Sequence, residues 1–243
     1  MGYPIEKIGT DTKLFSMIGS GAIELKHDTL FNQVFQEKDL DCKMMPLNIR
    51  QDDLGFFLHG LKDSKIAGVF FESEYWEIVY DLLQEGDEEV RFSGICDTID
   101  IVDNQYRVHL TQGKALLNIL KEKIGTVENK CVSIAGSSPT AKSFLYRLIK
   151  EKPKKIILAD ETVENLLDMS SMIDDDIVSD IVRLQQNSFD EASDILVNFT
   201  GTAVDSAQTD DVLDISLNGE MHKEILSNIA KIKVNEWSNE WKR

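Results

Sequence analysis

The sequence predicts a two-domain α/β protein, with a mixed α/β sheet in the N-terminal domain and a doubly wound parallel sheet in the second. The chain has 243 residues, which is long enough for two domains of ordinary size. Hydrophobic residues make up 42% of it, enough to bury a core in each domain. Short apolar runs alternate with amphipathic segments, and beyond Gly125 the alternation is regular, as in parallel βαβ units.

The first half of the chain predicts alternating strands and helices followed by a hairpin. Apolar runs predict strands at 13–19, 42–49 and 66–71. Helical spacing of apolar residues predicts helices at 28–40, 52–64 and 73–86. Ser73 is the expected N-cap of the third helix and Gly86 its stop, and 85–89 is expected to be an acidic surface loop. A hairpin is predicted at 95–110, with its turn at Asp103 and Asn104.

The second half predicts a regular alternation of strands and helices. A helix is expected at 113–125, and strands at 131–136, 154–160, 181–186, 195–200 and 212–217. Further helices are expected at 140–152 and 161–173. The tail predicts a helix with two exposed tryptophans, Trp237 and Trp241, that would form a docking surface or a dimer contact. The predicted domains are therefore residues 1–112 and residues 113–243.

Composition and charge argue against several classes of function. The net charge is −17 and the pI about 4.6, whereas phosphate binding by nucleic-acid proteins needs clustered Lys and Arg. The three cysteines form no CxxC pair and the four histidines have no ligand spacing, so we expect a reducing compartment and no metal site. No segment has the pattern of a signal peptide or a membrane span. We expect a cytoplasmic protein with neither nucleic acid nor membrane as a partner.

The segment VSIAGSSPTAKSF predicts a strand, a tight turn and the start of a helix, as in a Rossmann-like dinucleotide-binding loop. Gly136 stands at the first glycine position of such a loop, Ser138 at the second and Ala141 at the small third position, with Ser137 in the turn. Serine hydroxyls and helix N-terminal amides can bind a phosphate. A single glycine also fits an ordinary βα turn, and that alternative stays open.

Two acidic residues end the next predicted strand. Asp160 lies 24 positions beyond Gly136, near where an acidic side chain binds the ribose hydroxyls of NAD. Glu161 beside it would repel the 2′-phosphate of NADP. If a dinucleotide binds, the sequence therefore favours NAD over NADP. The alternative is a solvated acidic strand end.

Taken in order, the segments between about residues 13 and 218 resemble the shikimate dehydrogenase family. KLFSMIGSGAIELKHDTLFNQVF resembles its Ile-Gly-Asn-Pro and Ser-x-Ser-Pro opening, and IAGVFFESEYWEIV its Gly-Val-Asn-Val-Thr-x-Pro-x-Lys segment. GICDTIDIVDNQYRVHLTQGKALLNIL resembles Gly-Ala-Val-Asn-Thr, a hairpin and Gly-x-Asn-Thr-Asp-Gly. VSIAGSSPTAKSFLYRL and DILVNFTGTAV are similar to the Gly-Ala-Gly-Gly-Ala loop and the Ile-Asn-x-Thr-Pro-x-Gly segment. The resemblance implies the family's fold, an NAD(P) cofactor and hydride transfer.

The resemblance also implies that the family's substrate-binding and catalytic residues are replaced. The Ser-x-Ser pair falls on Leu25 and His27, the catalytic Lys on Trp76, its partner Asn on Asp97 and the catalytic Asp on Gln112. Neither Trp nor Gln can exchange a proton near neutral pH. The catalytic residues are thus unassigned. The candidates are His27, Glu72, Trp76, Asp97 and Gln112.

In the cofactor half, the family's Arg that meets the 2′-phosphate of NADP falls on Glu161, whereas Asn198 and Thr200 are retained. The expected cofactor-binding residues are Gly136, Ser137, Ser138, Ala141, Asp160, Asn198 and Thr200. The expected cofactor is NAD or NADP, with NAD favoured. The alternative is that the chain no longer binds a dinucleotide.

The cleft between the domains is expected to be more apolar than in the family. Its expected lining is Phe70, Phe71, Tyr75, Trp76 and His27, with Glu72, Asp97 and Gln112 as polar groups. Such a lining suits an aromatic or apolar ligand, or a cation attracted to the carboxylates. Alternatively, the VFF run is a core strand and Trp76 fills the old site; for Phe71 this is favoured because neighbouring strand residues alternate between faces.

Three functions remain open at this point. The first is a repurposed NAD(P)-linked oxidoreductase that acts on a small molecule other than shikimate. The second is a catalytically silent member that binds a ligand or a protein partner, as a monomer or a homo-oligomer. The third is a non-redox enzyme that uses the apolar cleft. The replaced positions argue against an authentic shikimate dehydrogenase.

Overall fold

The computed structural model describes residues 8–173, 177–185, 188–206, 209–215 and 219–240. These residues divide into two compact units. The first unit runs up to Leu110 and resumes at Ala230, and the second runs from Thr111 to Ile229. The sequence predicts a first domain that ends at residue 112 and a second that includes the whole tail. The structure instead assigns the described residues from Ala230 onward to the first unit.

The first unit contains a mixed sheet with helices between its parallel strands. Its strands are β1 (Lys13–Gly19), β2 (Cys42–Asn48), β3 (Ile66–Phe71), β4 (Thr98–Val102) and β5 (Gln105–His109). Its helices before residue 111 are α1 (Ala22–Leu25), α2 (Asp28–Glu37), α3 (Leu54–Leu61), α4 (Trp76–Leu83) and α5 (Glu88–Ser93). The strand order is β2-β1-β3-β4-β5, with the first three strands parallel and the last two antiparallel.

The hairpin of β4 and β5 turns where the sequence predicts it. Asp103 and Asn104 have φ angles of 50° and 61°. Two successive residues with positive φ match the twist of a two-residue hairpin, and Asp and Asn tolerate this conformation better than most residues. The predicted hairpin is confirmed.

The second unit contains a parallel sheet. Its strands are β6 (Cys131–Ala135), β7 (Lys155–Asp160), β8 (Val178–Arg183), β10 (Ser193–Asn198) and β12 (Thr209–Asp214), with β9 (Ser188–Phe189) and β11 (Asp205–Ser206) paired separately. Its helices are α6 (Gln112–Ile124), α7 (Pro139–Leu148) and α8 (Val163–Ser170), and α9 (Gly219–Glu240) follows. The order is β12-β10-β6-β7-β8, and each pairing is parallel. The predicted α/β class, a mixed sheet followed by a doubly wound sheet, is confirmed.

The end of α9 is buried in the first unit. Trp237 is 2% exposed and stacks on Phe15, with ring centroids 4.1 Å apart. Its indole N–H donates to Asp100 Oδ1 at 2.6 Å. The prediction that Trp237 is exposed is therefore wrong, because its ring completes an aromatic cluster with Phe31 and Phe35. Trp241, the other predicted docking residue, lies outside the described residues.

A buried charge cluster joins α9 to the hairpin within the first unit. Lys233, fully buried, donates to Asp100 Oδ2 at 3.2 Å, and His109 Nε2 lies 2.8 Å from the same oxygen. Burial acts to raise the pKa of Asp100, but the close His109 ring, the Lys233 charge and the Trp237 N–H outweigh burial and lower that pKa below its usual value. No single segment of sequence signals this cluster.

Two predicted features near residues 73–89 are only partly correct. The segment 85–89 is a surface loop as far as Asp87, whose carboxylate accepts the Val90 N–H at 3.0 Å and starts α5, whereas Glu89 lies in that helix and is fully buried. The helix predicted from Ser73 begins at Trp76, after a 3-10 turn, and ends before Gln84 in a left-handed conformation with φ 49°. The acidic run that predicts a loop thus also provides the N-cap and the first turn of a helix.

Candidate functional site

The central strand of the second sheet ends in a turn that requires glycine. Gly136 follows β6 with φ +95°, in the region that L-residues rarely adopt. A Cβ atom placed there would lie 3.1 Å from the carbonyl carbon of Phe199 and 3.2 Å from the amide nitrogen of Thr200. The Gly136 N–H donates to Ala159 O at 2.8 Å. The turn therefore has the conformation expected of the first glycine in a dinucleotide-binding loop.

The residues after this turn form a capped helix start. Ser138 is the N-cap of α7, and its hydroxyl accepts the Ala141 N–H at 3.3 Å. Pro139 takes the first helical position, where no N–H is needed. Ala141 is fully buried, as the small third position requires. Ser138 and Ala141 thus shape the turn and do not line the cavity beside it.

A cavity of about 420 Å³ opens in the second unit, at the carboxyl ends of β6, β7 and β10. Doubly wound sheets bind ligands at this edge. The cavity is lined by Gly136, Ser137, Asp160, Glu161, Thr162, Leu184, Phe199, Thr200 and Thr202. Among the predicted cofactor residues, the structure brings together Gly136, Ser137, Asp160 and Thr200. Glu161, predicted to face the 2′-phosphate, also lines the cavity, whereas Thr162, Leu184, Phe199 and Thr202 were not predicted.

Asn198, another predicted cofactor residue, builds the loop that carries Thr200. Its Oδ1 accepts the Thr200 N–H at 3.0 Å and the Thr200 hydroxyl at 2.8 Å. Its Nδ2 donates to Thr202 O at 2.6 Å and to Asp214 Oδ2 at 3.1 Å. Asn198 is 1% exposed, so it contributes to the cavity by positioning neighbours and not by direct contact.

The acidic residues at the end of β7 stand on the cavity wall. Asp160 Oδ1 accepts the Thr162 N–H at 3.0 Å, which orients the carboxylate, and Glu161 beside it is exposed. An oriented carboxylate at this strand end can accept hydrogen bonds from ribose hydroxyls. A phosphate on the 2′-oxygen would bring negative charge toward two carboxylates.

A second group of polar side chains lies at the carboxyl edge of the first sheet. His27 Nδ1 lies 2.9 Å from Glu72 Oε1 and 3.1 Å from Oε2. Glu72 directly follows β3, and Asp97 directly precedes the antiparallel β4, so both stand at the same edge. The Phe71 N–H donates to Asp97 O at 2.9 Å. Three of the five predicted catalytic candidates therefore come to one edge of the sheet, and two of them are in contact.

Several known proteins are similar to this chain over most of its length. No protein-family model matches the chain. The shikimate dehydrogenase (NADP(+)) of Nitrosopumilus maritimus strain SCM1 is 26% identical over 228 residues, 92% of this chain and 81% of that protein. The structure of ligand-free 5-ketofructose reductase from Gluconobacter sp. strain CHM43 matches with a TM-score of 0.79 at 18% identity, covering 94% of both chains.

Shikimate 5-dehydrogenase from Listeria monocytogenes, solved with shikimate and NAD, matches with a TM-score of 0.68 at 18% identity, over 81% of this chain and 71% of that one. This chain has the shikimate dehydrogenase fold. The predicted resemblance to the shikimate dehydrogenase family is confirmed at the low identity of its curated relatives.

Trp76, which the resemblance places at the family's catalytic Lys, belongs to the core of the first unit. Its ring is 6% exposed, and its N–H donates to Phe71 O at 2.7 Å. Phe70 and Phe71 are fully buried, and Tyr75 donates its hydroxyl to Ile49 O at 2.6 Å. Burial and the nearby Glu74 raise the pKa of Tyr75, which disfavours it as a base. Within the first unit these aromatic side chains are buried, as the core alternative expects for Phe71.

Asp97 and Gln112, two further predicted catalytic candidates, differ in their surroundings. Asp97 is fully buried, and its Oδ1 accepts the Thr98 hydroxyl at 2.9 Å. Gln112 begins α6 of the second unit, is 7% exposed, and its Oε1 has no hydrogen-bond partner within the described residues. Leu25, at the first Ser of the Ser-x-Ser pair, is 51% exposed and offers no hydrogen bond.

Neither a membrane span nor a metal cluster is found in the described ranges. The helices there are too short or too polar to cross a bilayer. In the same part of the chain, no three His, Cys, Asp or Glu side chains are grouped to hold a metal ion.

Proposed function

We propose that this chain is an NAD(P)-linked oxidoreductase that acts on a small molecule other than shikimate. The observation that carries the proposal is the cavity beside the Gly136 turn, with its capped helix and its acidic strand end. The relatives support it, because the named ones are a shikimate dehydrogenase and a 5-ketofructose reductase. When bound, the dinucleotide would supply the hydride, and this chain's residues would bind, orient and exchange protons.

NAD is the favoured cofactor of the two. Asp160 would accept hydrogen bonds from the adenosine ribose, and Glu161 adds a second negative charge beside it. NADP would bring its 2′-phosphate toward both carboxylates, and the described residues that line the cavity include no Arg or Lys to offset the repulsion. We therefore expect NADH to bind more tightly than NADPH.

Shikimate is a disfavoured substrate because the two Ser hydroxyls that bind its carboxylate in the family are replaced. Leu25 and His27 replace the hydroxyl pair that grips this carboxylate in the family, as the resemblance implies. A buried carboxylate without hydrogen bonds costs binding free energy. The structurally similar 5-ketofructose reductase suggests a different trial substrate. We choose 5-ketofructose, which is a neutral polyhydroxy ketone.

Cofactor binding is tested by thermal unfolding with NAD, NADH, NADP and NADPH in turn. A ligand at 100 times its Kd should stabilise the fold by about 2.7 kcal/mol. We expect the largest rise in Tm with NADH. In the double variant Asp160→Ser/Glu161→Ser, the rises in Tm caused by NADH and by NADPH should become more alike. If none of the four raises Tm, the oxidoreductase proposal fails.

A catalytically silent, ligand-binding protein is the second candidate. It is favoured by Trp76, whose only polar atom is bound to the main chain, and by Gln112, which has no useful pKa. This candidate predicts binding of a dinucleotide or a small molecule without turnover. Hydride transfer to any ketone, detected as loss of NADH absorbance, would exclude it.

A further inference from the structure

We propose that this chain forms a two-fold symmetric dimer through helix α3 of the first unit, in which Phe56 of each copy enters an apolar cavity on the other. The partner is thus a second copy of the chain. The inference is independent of the proposed function, because neither a dinucleotide nor the second unit takes part in the contact. The surface, called the α3 face below, is lined by Ile49, Asp53, Phe56, Phe57, Gly60, Leu61, Ser64 and Ile66.

Phe56 projects from the middle of α3, and 84% of its surface is exposed. Leu54 and Leu58, on the opposite side of the helix, are buried in the core of the first unit. The core of one copy therefore does not use the ring of Phe56. Aromatic side chains are enriched in protein interfaces, because each one removes a large apolar area from water. Phe56 is placed to do this against another surface.

A cavity of about 310 Å³ opens beside Phe56. Gly60, one turn further along α3, lines it, and a Cβ atom added there would meet nothing within 4 Å. The helix surface is therefore open at this point. The hydroxyl of Ser64, another lining residue, already donates to Leu61 O at 2.7 Å, so an apolar guest would not leave it unpaired. The remaining apolar walls are Ile49, Phe57 and Ile66. Such a cavity accepts an apolar side chain.

The exposed ring and the cavity lie on one face of one helix, which makes the α3 face self-complementary. Residues four apart are neighbours on a helix surface, so Phe56 and Gly60 stand side by side. When two α3 helices lie antiparallel across a two-fold axis, Phe56 of each copy meets Gly60 and the cavity of the other. Two copies then satisfy each other completely, and the contact closes as a dimer and does not extend into a filament.

The charges along α3 favour the same antiparallel arrangement. Asp52 and Asp53 stand at its start. Lys62 and Lys65 stand just after its end, and the Lys62 ammonium is held there 4.5 Å from the centroid of the Tyr106 ring. In an antiparallel pair the acidic start of each helix faces the basic end of the other. This local attraction opposes the repulsion between two chains of net charge −17, which salt at about 0.15 M screens beyond about 8 Å.

Sedimentation velocity of the full chain in 0.15 M NaCl tests for the dimer. We expect the weight-average mass to rise from 27.5 kDa toward twice that value between micromolar and millimolar concentration, because a small interface dissociates on dilution. Phe56→Glu should stay monomeric throughout, since it would bury an unpaired charge in the contact. Its Tm at micromolar concentration should match wild type, because the side chain is exposed. Leu167→Glu, which changes an exposed residue of α8, is the matched control and should associate like wild type.

Gly60→Leu tests the cavity separately from the exposed ring. Leucine is a better helix former than glycine and has room at this position, so the Tm of the monomer should be equal to or higher than that of wild type. Its side chain would take the space that Phe56 of the other copy needs. We therefore expect the Kd of the dimer to rise about tenfold or more, as for overpacking of a core.

An exchange of charges tests the antiparallel orientation. One chain carries Asp52→Lys/Asp53→Lys and the other Lys62→Glu/Lys65→Glu. Each chain alone should associate more weakly than wild type, because like charges meet across its two-fold axis. An equimolar mixture should form a mixed dimer, since opposite charges face each other again. A fluorescent label on one chain identifies the mixed dimer.

Several results would overturn the inference. A wild-type chain that stays at 27.5 kDa at every concentration would leave the α3 face to another occupant. A dimer that persists in Phe56→Glu and in Gly60→Leu would lie on a different surface. A mixture of the charge variants that associates no better than either chain alone would exclude the antiparallel pair. Failure of dinucleotide binding would overturn the proposed function and leave each of these outcomes unaffected.

Discussion

At the scale of single residues, the turn after β6 depends on Gly136, because other residues adopt its φ of +95° only with strain. Gly136 could be assigned from its neighbours, because a strand, a turn and a helix start leave one position where positive φ is required. The contact of His27 with Glu72 could not be predicted, since the two are 45 positions apart and meet only once β1 and β3 are paired. The acidic and basic partners of a site are thus a tertiary property.

Replacing Gly136 tests the proposed role of its turn in cofactor binding. Gly136→Ala should lower the free energy of unfolding by about 1–3 kcal/mol, because alanine is strained at φ +95° and its Cβ would press on Phe199 and Thr200. It should also weaken NADH binding, measured by calorimetry. Gly94→Ala is the matched control, since Gly94 has φ +69° but nothing within 4 Å of the added Cβ. Equal NADH affinity in wild type and Gly136→Ala would contradict the assignment.

At the scale of elements, local patterns predicted where strands and helices lie but not which faces they bury. The parallel strands of both sheets were found because they are short apolar runs between helical segments. Helix α5 was missed because its first turn is acidic, which also suits a loop. The tail pattern predicts an exposed end of α9. Nothing in its local sequence reveals that Trp237 stacks on Phe15 and donates to Asp100.

The attachment of α9 can be tested with two matched tryptophan variants. Trp237→Phe keeps an aromatic ring on Phe15 but removes the N–H that binds the Asp100 carboxylate, so we expect a loss of about 1.5–3 kcal/mol in the free energy of unfolding. Trp76→Phe removes a similar N–H from a neutral carbonyl and should cost less, about 0.5–1.5 kcal/mol. Urea unfolding measures both. The reverse order would argue against a charged acceptor at Asp100.

The same cluster predicts a dependence of stability on acid. The pKa of Asp100 is lowered in the folded state, so below the unfolded value of about 3.9 the unfolded chain binds more protons. The stability that Asp100 contributes is present above that pH and is lost as pH falls through the folded-state pKa. Urea unfolding between pH 5 and pH 3 should therefore show a steeper loss for wild type than for Asp100→Asn/Lys233→Met. This double variant avoids leaving Lys233 buried without its partner.

At the scale of the whole molecule, composition and alternation were sufficient to predict the class of fold. A chain of 243 residues with alternating apolar runs allows few arrangements other than two α/β units. The distribution of the tail between the units was not predictable. It depends on which sheet offers a matching surface, and that information is spread over β1, α2 and β4.

The net charge of −17 predicts a response to salt. At low ionic strength the Debye length is about 30 Å, so like charges repel one another across the molecule, whereas at about 0.15 M it is near 8 Å. We expect Tm, measured by calorimetry, to rise between 10 mM and 150 mM NaCl, because screening relieves this repulsion. A fall in Tm would show that screened ion pairs such as Lys123 with Glu224 matter more than the net charge.

The return of the chain to its first unit sets the order in which the protein can mature during synthesis. The first unit lacks Lys233 and Trp237 until residues 230–240 have left the ribosome, and the whole of residues 111–229 is made in between. At about 5–20 residues per second this delay is on the order of ten seconds. Until then Phe15 and Asp100 lack the contacts that Trp237 and Lys233 supply, so we expect the packing of the first unit to be completed last.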